Sequence, residues 1–114
     1  MFPTLNSLEI EDTLKSGRRH RRRSFLIFIN EPKNQESGKV AFIAAKRLGN
    51  AVYRNRSKRI LREAFRSAMK HDVICDKYNI ILMATPNTAT AEVYVIEEDI
   101  VSIFNRYNSS GARY

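Results

Sequence analysis

The chain has 114 residues, enough for one domain around one modest core, and hydrophobic residues make up 43% of it. That share excludes wholesale disorder, and no apolar run approaches the length of a bilayer span. A formal net charge of +8 points instead towards a polyanionic partner.

The excess charge is unevenly placed. Residues 1–70 hold 17 basic and 6 acidic side chains, a net +11, while residues 71–114 hold 3 and 6, a net −3. Solubility alone does not require such polarity, because interspersed signs serve as well. The N-terminus lacks an apolar signal segment, so the expected compartment is the cytoplasm, with no membrane partner. The single cysteine, Cys75, cannot form an internal disulfide and reads as an inert thiol. With only His20 and His71 beside it, no cluster of soft metal ligands can be assembled.

In chain order, Ser7 to Ser16 reads as a first helix. Ser7 is its expected cap, Glu9, Glu11 and Asp12 favour its positive end, and Gly17 stops it. Leu8 and Leu14 are its surest apolar residues, with Ile10 beside Leu14 at helical spacing. The tract Arg18, Arg19, His20, Arg21, Arg22, Arg23 follows, and reads equally as an electrostatic tether or as a shaped site. Ser24 to Ile29 is a run of strand length in which Phe25 and Phe28 fall on opposite faces. Glu31 to Gly38 is a turn by composition, and Lys39 to Ala45 a second strand, so the two strands are expected to form a hairpin.

A second helix is predicted from near Asn50 to about Lys70. Ile60, Leu61, Ala64, Phe65, Ala68 and Met69 recur at helical spacing and make one apolar stripe. Tyr78 to Met83 reads as a third strand, ended by Pro86. A last helix is expected over Val93 to Tyr107, burying Ile96, Ile100, Ile103, Phe104 and Tyr107. Its Glu97, Glu98 and Asp99 read as partners of the helix dipole rather than as a metal site. Residues 108–114 read as a frayed tail. The order implies an α+β fold, a small mixed sheet with helices packed on it.

The chemistry concentrates in the second helix. Asn55, Arg56, Arg59, Arg62 and Arg66 fall opposite the apolar stripe, and Arg54 and Lys58 at its edge. Six of the thirteen residues from Arg54 to Arg66 are basic and only Glu63 is acidic. A merely solvated face is the commoner meaning of charge on a helix, but the energetics oppose it here. Arg54–Lys58, Lys58–Arg62 and Arg62–Arg66 are like-charged pairs at i, i+4, each costing about 0.2–0.5 kcal/mol. Arg54 and Arg56 also sit in early turns, where the dipole disfavours cations. A phosphate chain would relieve this repulsion, and the guanidinium fork can bridge two phosphate oxygens. Asn55 can read a base edge or a 2′-hydroxyl, and the helix start near Asn50 offers free N–H groups to an anion. No Ser/His/Asp set, HExxH motif or phosphate-binding glycine loop accompanies these cations, so nothing suggests a self-sufficient nuclease.

At these residues the chain resembles a known family. Lys46-Arg47-Leu48-Gly49-Asn50-Ala51-Val52, then Arg54-Asn55-Arg56, Lys58-Arg59 and Leu61-Arg62-Glu63-Ala64-Phe65-Arg66, is similar to the signature of the bacterial ribonuclease P protein component. The resemblance implies an α/β sandwich whose motif helix rides on a left-handed crossover. It implies two RNA partners, the catalytic RNA and the 5′ leader of precursor tRNA, with no obligate protein partner. Hydrolysis would belong to the RNA subunit and its divalent metal ions, magnesium among them, and the protein would bind no cofactor. Carried over by position, Lys46, Arg47, Asn50, Arg54, Asn55, Arg56, Lys58, Arg59, Arg62 and Arg66 would be RNA-binding. The leader cleft, between the first helix and the sheet, would fall on Ile10, Leu14 and Phe28. The first two are aliphatic where the family tends to be aromatic, and the stretch before the first helix is not basic. A structural RNA-binding protein of the ribosome is the rival reading, and a DNA-binding helix protein a third.

Overall fold

The computed structural model describes residues 2–33 and 37–110, with side chains as far as Tyr107. The first helix, α1, spans Ser7–Ser16, but its cap is Asn6 rather than Ser7. Asn6 Oδ1 accepts from the Glu9 N–H at 2.8 Å, and Glu9 Oε1 accepts from the Asn6 N–H at 2.9 Å. This reciprocal box fills backbone donors that a helix start otherwise leaves open. The second Glu9 oxygen accepts from Lys39 Nζ at 2.7 Å and moors α1 to the sheet. The Asn6 N–H, and after it the Lys39 ammonium, hold the Glu9 carboxyl below its ordinary range. Leu8, with Leu14 one of the surest apolar residues of this helix, is 76% exposed. It lies about 200° around the helix from Ile10, on the side away from the sheet.

The basic tract is not a free tether. Arg18–Arg22 forms a strand, β1, antiparallel to β2, Phe25–Asn30, across a tight turn at Arg23 and Ser24. Composition conceals it because a sheet edge needs few apolar residues, and exposed cations keep such an edge from pairing with other chains. The expected hairpin does not form either. β4, Asn79–Ala84, inserts between β2 and β3, Val40–Ile43, antiparallel to the first and parallel to the second. The strand order is β1-β2-β4-β3. Of the turn expected over Glu31 to Gly38, residues 34–36 lie outside the described residues.

α2, Ala51–Met69, connects the parallel pair β3 and β4, and α3, Val93–Ser110, follows β4. These two helices pack on one face of the sheet and against each other, while α1 lies on the other face. Ile60, Leu61, Ala64, Phe65 and Ala68 are buried as the periodicity predicts, and Met69 is half-buried at the stripe's edge. Ile96, Ile100, Ile103, Phe104 and Tyr107 close the core from α3. Phe25 and Phe28 do fall on opposite faces, and both are buried, one in each of two apolar clusters. α3 continues to Ser110, and the rest of the expected tail, residues 111–114, lies outside the described residues.

Glu97 and Asp99 start past the first turn of α3, so they are not the dipole partners expected. They act as cross-links: Glu97 contacts His71 at 2.7 Å and Asp99 reaches Arg22 at 4.0 Å. Among the described residues no group of three or more His, Cys, Asp or Glu could hold a metal ion, and no helix is long and apolar enough to cross a membrane. β1 closes against α3 through His20, whose Nε2 lies 3.4 Å from Tyr107 Oη. Burial, and after it the charges of Arg22, Arg18 and Arg106, hold the His20 imidazole below its ordinary pKa of 6.5.

Two outcomes follow from this packing. Leu61→Ala removes a fully buried side chain at the helix–sheet seam and is expected to cost about 2–5 kcal/mol in urea unfolding. His20 resists protonation when folded but accepts a proton at its ordinary pKa when unfolded, so acid favours the unfolded chain. The unfolding free energy of wild type relative to His20→Gln should therefore fall as pH drops from about 8 to 5. A difference that stays level across that range would show that His20 titrates alike in both states.

Candidate nucleic-acid interface

The motif before α2 is first of all a device for starting the helix. Lys46–Leu48 forms one 3-10 turn, and Gly49 then adopts φ 146°, a conformation that side chains rarely allow. That bend sets Asn50 as the cap, its Oδ1 accepting from the Tyr53 N–H at 2.9 Å. Tyr53 in turn donates its hydroxyl to the Pro86 carbonyl at 2.7 Å, which pins the first turn to the segment after β4. Asn50 thus spends its carboxamide oxygen on the helix and keeps only its amide N–H groups for a ligand. Arg54 is half-buried, with Nε donating to the Gly49 carbonyl at 3.3 Å.

Beyond that start the cations face outward. Lys46, Arg47, Asn55, Arg56, Arg59, Arg62 and Arg66 are exposed, and Lys58 is half-buried at the stripe's edge. None of the four ion pairs found among the described residues involves a cation of α2. The face divides into two ridges. Asn55, Arg56 and Arg59 form the outer one, while Lys58, Arg62 and Arg66 descend towards β3, where the Arg62 guanidinium sits 5.4 Å from the centre of the Phe42 ring. An array of unpaired cations, held by a helix whose other side is buried, concentrates positive potential over one surface.

The opposite face of the sheet carries a second feature. Ile10, Leu14 and Phe28 meet in one apolar cluster with Leu5, Ala41 and Ile81, so the three expected cleft residues are brought together. Phe28 is 9% exposed, so it packs under α1 more than it offers a ring to solvent. The accessible floor lies one register row further on. Arg21, Leu26, Met83 and Ile43 stand side by side across β1, β2, β4 and β3. Leu26, Met83 and Ile43 are each half-buried beyond the cover of α1. Sequence reasoning missed these three, although the period-two alternation with Phe28 could have marked Leu26.

The register also sorts the arginines of β1. Arg19 pairs with Phe28 and Arg21 with Leu26, which places both on the cleft face. Arg22 turns to the other face, where Asp99 takes it. Arg18 is exposed at the start of the strand, and Arg23 lies in the turn with its carbonyl accepting from Thr85 and Asn87. The larger surface groove, about 580 Å³ along α3, is lined by Glu97 and Glu98 among others and suits a phosphate chain poorly.

Comparison with known proteins agrees with this geometry. The family model described as Ribonuclease P matches residues 5–108. The ribonuclease P protein component of Macrococcus caseolyticus is 29% identical over 101 residues, covering 88% of this chain and 87% of the relative. That of Pseudarthrobacter chlorophenolicus is 32% identical over 93 residues, covering 82% and 67%. Among solved structures, the RNase P protein of Staphylococcus aureus superposes with a TM-score of 0.71 at 22% identity, covering 92% of this chain and 94% of that one. The RNase P protein of Thermotoga maritima gives 0.71 at 18% identity, over 90% and 96%. At such identities these structures speak for a shared fold, and the sequence match over nearly the whole chain carries the rest: a cation-faced α2 entered through Gly49 and Asn50, on this sheet, belongs to a protein of the ribonuclease P protein family.

Proposed function

We propose that the chain binds the catalytic RNA of ribonuclease P through the exposed side of α2 and the single-stranded 5′ leader of precursor tRNA through the cleft beside α1. The observation that carries this reading is the exposed face of α2, whose arginines have no carboxylate partner among the described residues. Each cation that meets a phosphate releases a condensed counterion, so binding is driven by ions returned to solution. Asn55, flanked by Arg54 and Arg56, adds a neutral donor and acceptor able to read a base edge or ribose hydroxyl. Across the sheet, Leu26, Met83 and Ile43 supply an apolar floor, with Arg19 and Arg21 on the same face to neutralise phosphates. Ile10 and Leu14 pack α1 beside that floor and offer no aromatic ring to stack on bases, so the leader is held here by apolar contact and charge.

On this reading the chain contributes no general acid, base or nucleophile. Hydrolysis falls to the RNA subunit and its divalent ions, and the work of the protein is to lower electrostatic repulsion between two polyanions. The cytoplasm is the compartment that fits these partners.

Reconstitution with the RNA subunit of the same organism tests the proposal. The protein alone should cleave no precursor tRNA, and the mixture should cleave it at lower magnesium than the RNA alone. Arg56→Ala with Arg59→Ala should weaken association while leaving the melting temperature unchanged or raised. If both residues meet phosphates, the slope of log K against log salt flattens by roughly 0.7–0.9 per lost contact. An unaltered slope would remove these arginines from the RNA contact.

A further inference from the structure

The chain before α1 runs as a strap along the outer edge of β3 and stops part of the way. Val40 donates its N–H to the Pro3 carbonyl at 2.8 Å and accepts from the Leu5 N–H at 3.1 Å, so one outward-facing residue of the edge is filled. At Asn6 the strap turns into α1. Outward backbone groups alternate along a strand, so the next pair belongs to Phe42. Among the described residues no backbone bond from the strap reaches it.

A groove of about 430 Å³ opens at this free edge and wraps round it. Ile10 and Ile43 line it from the cleft side, and Phe42, Lys58, Arg62 and Arg66 from the α2 side. Its middle is prearranged: the Phe42 ring packs edge-on against Phe65 at 5.9 Å, and the Arg62 guanidinium rests over the same ring at 5.4 Å. The row Arg21, Leu26, Met83, Ile43 ends at the mouth of this groove. Four strands span about 14 Å, the reach of a few nucleotides.

We propose that a single-stranded RNA leaving the cleft passes over the free edge of β3 and is gripped there, its phosphates by Lys58, Arg62 and Arg66. A base then lies on the Arg62 guanidinium, and the outward N–H and C=O of Phe42 pair with base or ribose. The chemistry requires a single strand, because the edge groups and the ring-backed guanidinium need an unpaired base. A duplex could use only the cations. This rests on the reading of the cleft given above, and divides α2 by function. The outer ridge of Asn55, Arg56 and Arg59 faces the folded catalytic RNA, and the inner ridge serves the substrate strand.

The test uses the reconstituted holoenzyme at saturating RNA subunit and two precursor tRNAs, one with a leader long enough to cross the sheet and one trimmed next to the cleavage site. The quantity read is the ratio of their dissociation constants. In wild type the long leader binds more tightly. Arg62→Ala, an exposed position, should reduce that preference roughly tenfold. Phe42→Leu, which retains apolar volume and removes the ring, should reduce it roughly threefold. Arg56→Ala should weaken assembly with the RNA subunit and leave the ratio as in wild type. If Arg62→Ala weakens assembly but preserves the ratio, the inner ridge lies on the catalytic RNA and the inference is overturned, while the proposed function stands. If wild type shows no preference for the longer leader, the reading of the cleft itself fails.

Discussion

β4 is apolar on both sides, and its burial between β2 and β3 imposes the rest of the architecture. A strand buried on both faces needs cover above and below the sheet, and α1 supplies one layer while α2 and α3 supply the other. Its parallel partner β3 cannot be joined to it by a tight turn, so the connection must climb over the sheet. α2 is that connection. Its apolar stripe faces the strands and α3, and its cations are left facing outward.

The two surfaces that result are joined by the sheet itself. One face offers a helix whose arginines have no carboxylate partner among the described residues, the other a half-exposed apolar row with arginines at its β1 end. They meet at the short edge strand β3, where the strap from the N-terminal side fills Val40 and leaves Phe42. On the proposed reading, these two surfaces would let one chain touch a folded and an extended polynucleotide at once without a separate domain for each. α3 carries three consecutive acids, of which Glu97 and Asp99 tie the helix to His71 and Arg22.

Much of this was legible in the residues. The stripe from Ile60 to Ala68, the buried side of α3 and the outward arginines of α2 all appear where helical periodicity puts them. Local signals suffice for such elements, because spacing along one helix decides which residues share a face. The cap of α1 was misplaced by one residue because asparagine and serine serve equally well as caps, and only the bonds of Asn6 with Glu9 separate them. Leu8 is apolar yet exposed, because a hydrophobic residue on a short helix need not lie on its buried side.

By itself the sequence determined the helices, the polarity of the charge and, through the motif from Lys46 to Arg66, the family. Tertiary structure alone decided the neighbours: that Arg18–Arg22 is an edge strand, that β4 parts β2 from β3, and that Ile43 and Phe42 bring the cleft and the inner ridge of α2 together. The physical reason is the range of the forces involved. Helix faces and caps are set within a few residues, whereas strand order depends on which distant segment, here residues 79–84, can bury both of its sides at once.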